Sequence, residues 1–239
     1  PRNEPAHLSL SDVNGDGSID LAFAHYASKY QVKPYHFTAN EGVLPGPELR
    51  MASSRVYGPL GGTKGVYEVI GRVYGDARGL PGDLRVQQGG KKIAIPTDKG
   101  VRSVLIAKIG VDSQPHLYFA DGWVANYGKK AKAQLKRLLS LATPGKADTV
   151  GRSVGEFTFF SLGAYDVTQD GRLEIVARGN RYITVFQKLS TGWRQWRAAS
   201  LEPTINTAIA RQADGKYAVV IPHAQHVRVV PLRTGPSGP

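Results

Sequence analysis

Two stretches of the chain carry the same pattern: alternating apolar residues, a short loop crowded with acidic residues and glycine, then alternation again. In the first, His7-Leu8-Ser9-Leu10-Ser11 runs into Asp12-Val13-Asn14-Gly15-Asp16-Gly17-Ser18-Ile19-Asp20 and on into Leu21-Ala22-Phe23-Ala24-His25. In the second, Phe159-Phe160-Ser161-Leu162-Gly163-Ala164-Tyr165 runs into Asp166-Val167-Thr168-Gln169-Asp170-Gly171-Arg172-Leu173-Glu174 and then Ile175-Val176-Ala177-Arg178. Alternation with period two marks a half-buried strand, so each stretch reads as strand, loop, strand. A recurring unit of this kind constrains the fold strongly, because one small sheet cannot bury both faces alone and must stack on its neighbours.

A third stretch, Val104 to Trp123, has the same outline but has lost nearly all the acidic positions, and reads as a repeat without a metal. Two weaker copies run from Val69 through Asp83-Leu84-Arg85-Val86, and from Asn206 through the Asp214-Gly215 turn to Ile221. The expectation is therefore an all-β chain, a β-propeller of about five recognisable blade-like repeats forming one domain over residues 1–239. Evenly spaced short strands also suit a β-sandwich, which is the competing architecture. One segment fits less well. Between Lys129 and Ala142, residues Ala131, Leu135, Leu138 and Ala142 share a helical face, yet the same stretch half fits a strand, and only its place in the third unit favours the strand.

Composition agrees with an all-β reading: 28 glycines and 15 prolines in 239 residues call for many turns. Cysteine is absent, which excludes disulfides, thiolate metal sites and thiol nucleophiles. No apolar run approaches the roughly 20 residues of a membrane-spanning helix, so no membrane span is expected. Any secretion signal would lie outside this sequence, since the first residues lack a basic region followed by an apolar one. The 31 Lys and Arg against 19 Asp and Glu, a formal charge of +12, favour anionic partners, though most of the cations are scattered along the chain.

The first loop sets side-chain oxygens at Asp12, Asn14, Asp16 and Asp20, with Ser18 placed to offer its backbone carbonyl. Alternate spacing on a tightly curved loop aims successive oxygens inward, and calcium takes six to eight oxygen ligands at roughly 2.3–2.6 Å. Gly17 permits the sharp turn. An EF-hand has similar early spacing but needs glutamate at its twelfth position and flanking helices; here that position is Phe23 and the flanks alternate as strands. A plain Asn14-Gly15 hairpin turn is the simpler alternative, but it leaves three clustered aspartates in a basic chain unexplained. The second loop offers Asp166, Thr168, Asp170 and Glu174, with Arg172 at the backbone-carbonyl place and Gly171 at the turn. It is a poorer cage, because threonine is a weaker ligand and Glu174 is one methylene longer than Asp20.

The arrangement Asp-x-Asn-x-Asp-Gly-x-x-Asp between strands resembles the FG-GAP or VCBS repeats of integrin-α-like β-propellers, whose blades hold calcium in this loop. The match is specific over residues 8–25 and 159–178 and looser over 104–123. Such propellers usually have seven blades, so the resemblance implies either a smaller or incomplete ring or diverged blades. It also implies an extracellular, periplasmic or cell-surface protein, and names no ligand.

Other candidates reduce to ordinary structure. His223 and His226 lie three apart in a strand-like stretch, where they face opposite sides. Gly61-Gly62-Thr63-Lys64-Gly65 lacks the Gly-Lys-Ser/Thr ending of a phosphate loop. No serine elbow or Ser/His/Asp set is present, so no catalytic residue is named. Trp193-Arg194-Gln195-Trp196-Arg197 and the stretch from Asp121 through Trp123 to Tyr127 combine aromatic with basic or polar groups, a mixture able to stack on sugars or bases, although packing between sheets is its commoner use. The functional expectation is a calcium-binding module for a protein or glycan, an anionic polysaccharide among the candidates. The alternative is a lyase-like enzyme on an acidic polymer, drawn to it by the same charge. Nucleic acid is not expected, since no recognition motif accompanies the charge.

Overall fold

The computed structural model describes residues 7–11, 20–26, 30–38, 42–45, 49–51, 56–57, 67–70, 84–88, 91–97, 101, 103–121, 134–138, 145–152, 159–179, 181–201, 207–222 and 225–236. Up to residue 70 the description is of backbone course and strand pairing. Every regular element among these residues is a strand, and all strand pairs are antiparallel, as the all-β expectation requires.

The strands form five sheets in chain order. The first holds β1 (His7–Ser11), β2 (Asp20–Tyr26), β3 (Tyr30–Thr38) and β4 (Gly42–Pro45), with β5 (Leu49–Met51) pairing back onto β3. The second holds β6 (Val56–Tyr57), β7 (Tyr67–Ile70), β8 (Leu84–Gln88) and β9 (Lys91–Ile95). The third holds β10 (Val104–Ala107), β11 (His116–Asp121), β12 (Gln134–Leu138) and β13 (Ala147–Arg152). The fourth holds β14 (Ser161–Tyr165), β15 (Glu174–Arg178), β16 (Tyr182–Leu189) and β17 (Gly192–Ser200). The fifth holds β18 (Ala208–Arg211), β19 (Tyr217–Pro222) and β20 (Val227–Pro231). Each is a meander in which chain neighbours are sheet neighbours, apart from the return of β5.

The second to fifth sheets stack face to face, and period-two alternation decides which neighbour each residue meets. On β11, Leu117 and Phe119 join Leu84, Val86 and Ile95 of the second sheet. Tyr118 and Ala120, pointing the other way, join Ile175, Ala177 and Phe186 of the fourth. On β15, Val176 turns from that cluster to one shared with Val219 and Ile221 of the fifth sheet. Strands β11 and β15 are thus buried on both faces, which is why Ile175-Val176-Ala177 reads as a continuous apolar run. The buried Ser103 hydroxyl donates to the Phe159 carbonyl at 3.0 Å, stapling the approach to β10 to the approach to β14.

The same two-sided burial resolves the ambiguous segment. Gln134–Leu138 is a strand, with Leu135 packed toward the fourth sheet and Leu138 toward the second; the rest of 129–142 lies outside the described residues. An i, i+3 apolar pair mimics a helical face here because a strand covered on both sides buries odd and even positions alike. The weak unit at 69–86 falls differently from the expectation, on β7 and β8, the second and third strands of its sheet. The first strand, β6, is only two residues long, too short to display alternation.

Candidate metal centre

The hairpins that open the first, third and fourth sheets close in equivalent register. Ser11 pairs with Asp20, Ala107 with His116 and Tyr165 with Glu174, leaving eight residues in each connection by numbering. Asp20 of the first loop therefore opens β2 as Glu174 opens β15. The remaining first-loop candidates, Asp12, Asn14, Asp16 and Ser18, lie outside the described residues.

The second loop is described throughout. Both Asp166 carboxylate oxygens accept backbone N–H groups, Oδ1 from Asp170 and Oδ2 from Gly171, each at 3.0 Å. Asp170 Oδ1 accepts from the Arg172 N–H at 2.9 Å. Short acidic side chains serve this curling purpose well because they reach backbone donors two to five residues on. Gly171, at φ 79°, supplies the left-handed residue that the turn demands, and Gln169 adopts the same region at φ 60°. Val167, the second loop residue, is buried and plugs the cluster shared with the fifth sheet; Ile109, its counterpart in the third sheet, is likewise buried. The apolar residue at this place, Val13 in the first loop, is a signal the acidic pattern overshadows.

Glu174 is fully buried and accepts from the Val167 N–H at 2.8 Å, the Thr168 N–H at 3.2 Å and the Thr168 hydroxyl at 3.1 Å. Burial pushes its carboxyl above the usual range, while the hydrogen bonds from Thr168 and Val167 pull the other way. Asp166 and Asp170 retain acceptor capacity, since each carboxylate oxygen carries two lone pairs and one backbone donor uses one of them. By donor type these oxygens are the kind a hard cation takes. Glu174 stands apart, closing the loop from inside, and among the described residues no group of three or more His, Cys, Asp or Glu side chains is gathered to hold a metal ion.

No family model, curated protein or solved structure matches the chain.

Beside this loop lies a second constellation that the sequence does not announce. Gly110 N–H donates to the Leu173 carbonyl at 2.9 Å, tying the third sheet's opening loop to the fourth's. Next to Gly110, Asp112 accepts from the Tyr118 hydroxyl at 3.1 Å and faces Arg137 at 3.5 Å, and Arg137 also reaches Asp148 at 3.1 Å. Trp193 meets Tyr118 edge-on at 6.0 Å and lies under Lys188 at 5.3 Å and Arg137 at 6.0 Å. Burial, reinforced by Asp112, holds the Tyr118 phenol far above its ordinary value, and burial keeps the His116 imidazole below its own. Trp196 is buried and donates its indole N–H to the Arg233 carbonyl at 2.9 Å. The aromatic stretch around 193–197 thus packs and braces sheets. Among the described residues no helix is long and apolar enough to cross a membrane.

Proposed function

We propose that the chain is a calcium-stabilised β-propeller of the FG-GAP or VCBS type, its stacked meanders being the blades, and that it serves as an extracellular, periplasmic or cell-surface binding or scaffold module for a protein or glycan. In this reading Asp12, Asn14, Asp16, Asp20 and the Ser18 carbonyl hold one ion. Asp166, Thr168, Asp170 and the Arg172 carbonyl, with Glu174 once it leaves its hydrogen bonds to Val167 and Thr168, form a weaker second site.

The observation that carries the reading is the backbone of the second loop. Its two left-handed residues, Gln169 and Gly171, correspond in the first loop to Gly15 and Gly17, so glycine stands at both places where the backbone favours it. The equal closing registers add to this, because they set Asp20 where Glu174 stands. Face-to-face packing of successive four-stranded meanders is the way blades bury both their surfaces. A lyase-like enzyme is the poorer fit: Tyr118, the phenol nearest Arg137 and Asp112, is wholly buried and committed to Asp112.

Thermal melts with calcium and with chelator test the reading. A ligand that binds only the folded state adds roughly 2.7 kcal/mol at 100 times its dissociation constant, so the chelated protein should melt several degrees lower. Asp16→Ala should remove most of that difference and Thr168→Ala much less. Identical melting of wild type in both buffers would reduce both loops to turns.

A further inference from the structure

The fifth sheet has three strands where the second, third and fourth have four, and among the described residues nothing pairs with the outer edge of β20. The register shows which backbone groups that edge offers. Leu232 N–H donates to the Tyr217 carbonyl at 2.9 Å, so by alternation Arg228 and Val230 also turn their N–H and C=O groups toward β19. Val227, Val229 and Pro231 turn theirs outward, where the two valines each keep an N–H to give and Pro231 has none. The same valines are 60% and 50% exposed, although they belong to a strand and not to a loop. Their side chains share a face, opposite to that of Val230, which packs toward the fourth sheet. Just beyond the strand Leu232 is buried and the Arg233 N–H donates to the Ala198 carbonyl at 3.0 Å, which fixes this end of the edge against β17.

We propose that β20 takes up an extended segment of a partner protein as a fourth strand of its sheet, with apolar side chains beside Val227 and Val229 and an acidic one beside Arg228. The proposal rests on the reading of the chain as a binding module for a protein but uses none of the loop residues. Main-chain bonds to Val227 and Val229 supply the attachment, and alternate side chains supply the choice of partner. Val229 lies directly across from half-buried Val220, so an apolar residue on the added strand extends a row already begun. On the other face Arg228 is exposed, and no Asp or Glu follows Asp214 in the chain, so this edge favours an acidic neighbour. A second copy is the poorer occupant. Its own β20 brings another arginine, a Pro231 that returns no N–H, and a chain of formal charge +12.

The test is an anisotropy titration of the full chain with a labelled short peptide alternating Val and Glu, beside one alternating Val and Lys. The Val/Glu peptide should bind saturably and about tenfold tighter than the Val/Lys peptide. N-methylation of its valines, whose N–H groups face β20 in this register, should abolish binding, whereas N-methylation of its glutamates, whose N–H groups face away, should change it less than about threefold. Val229→Pro removes an outward N–H without touching the β19 ladder and should weaken binding about tenfold. Arg228→Glu should reverse the preference between the two peptides. The proposal is overturned if the Val/Glu peptide does not bind, if the Val/Lys peptide binds as well, or if N-methylation of the valines has no effect. It is also overturned if wild type sediments as a dimer that Val229→Pro dissociates, which gives the edge to a second copy. The N-methylated peptides are read on wild type, so they decide even where Val229→Pro fails to fold. Because the calcium response is read separately in the melts, loss of one result leaves the other standing.

Discussion

Phe186→Ala is expected to cost about 3–5 kcal/mol and to lower the melting temperature by roughly 10 °C. Phe186 sits on β16 with no exposed surface, in the cluster that joins the third and fourth sheets. Its ring meets Phe159 at right angles with centroids 5.8 Å apart, and Gly151 of β13 comes close because it has no side chain to hold the ring away. Removing the ring opens a cavity between two sheets that the β-scaffold on either side is too stiff to close. Val229→Ala, at a half-exposed position on β20, should stay within about 0.5 kcal/mol. Denaturant unfolding of both variants checks the contrast. A small effect from Phe186→Ala would mean that the third and fourth sheets do not share a core.

Gly110→Ala is expected to cost about 3 kcal/mol, although it adds a single carbon. Gly110 has φ 56°, a region that costs a residue with a side chain about 1–2 kcal/mol. Its Cβ would overlap the backbone carbonyl of Lys188, which belongs to β16 and cannot give as a flexible side chain would. Relief requires the loop to move and strains the Gly110 N–H bond to Leu173, and an unmet buried donor costs about 1–3 kcal/mol. Gly145→Ala, where an added carbon meets open space, is the control and should be near neutral. Equal denaturation midpoints for the two would remove Gly110 as the clasp between the loops.

The hairpins at 7–26 and 161–178 were legible because each pairs alternating strands with a loop of distinctive chemistry. Strand β12 was not, since burial on both faces erases the period that separates strand from helix. The misplaced unit at 69–86 traces to β6, whose two residues give alternation no room. At the loop, oxygen-bearing side chains at alternate positions are legible as oxygen donors. Their second use is not: in the second loop Asp166 and Asp170 curl the chain by accepting its own N–H groups, and Glu174 is drawn inside to cap Val167 and Thr168. The same residue types at the same spacing suit either purpose. The Asp112, Tyr118, Arg137 and Trp193 constellation was invisible for another reason, because its members lie far apart in sequence and meet only when the sheets stack.

Calcium titration calorimetry on the metal-stripped chain tests the central proposal most directly, since it counts sites without relying on stability. Wild type should take up two ions, the tighter in the first loop. Asp16→Ala should retain only the weaker one, and Asp170→Ala only the tighter. Absence of calcium uptake by wild type, or two ions still bound by Asp16→Ala, would contradict the assignment of the first loop as the principal metal site.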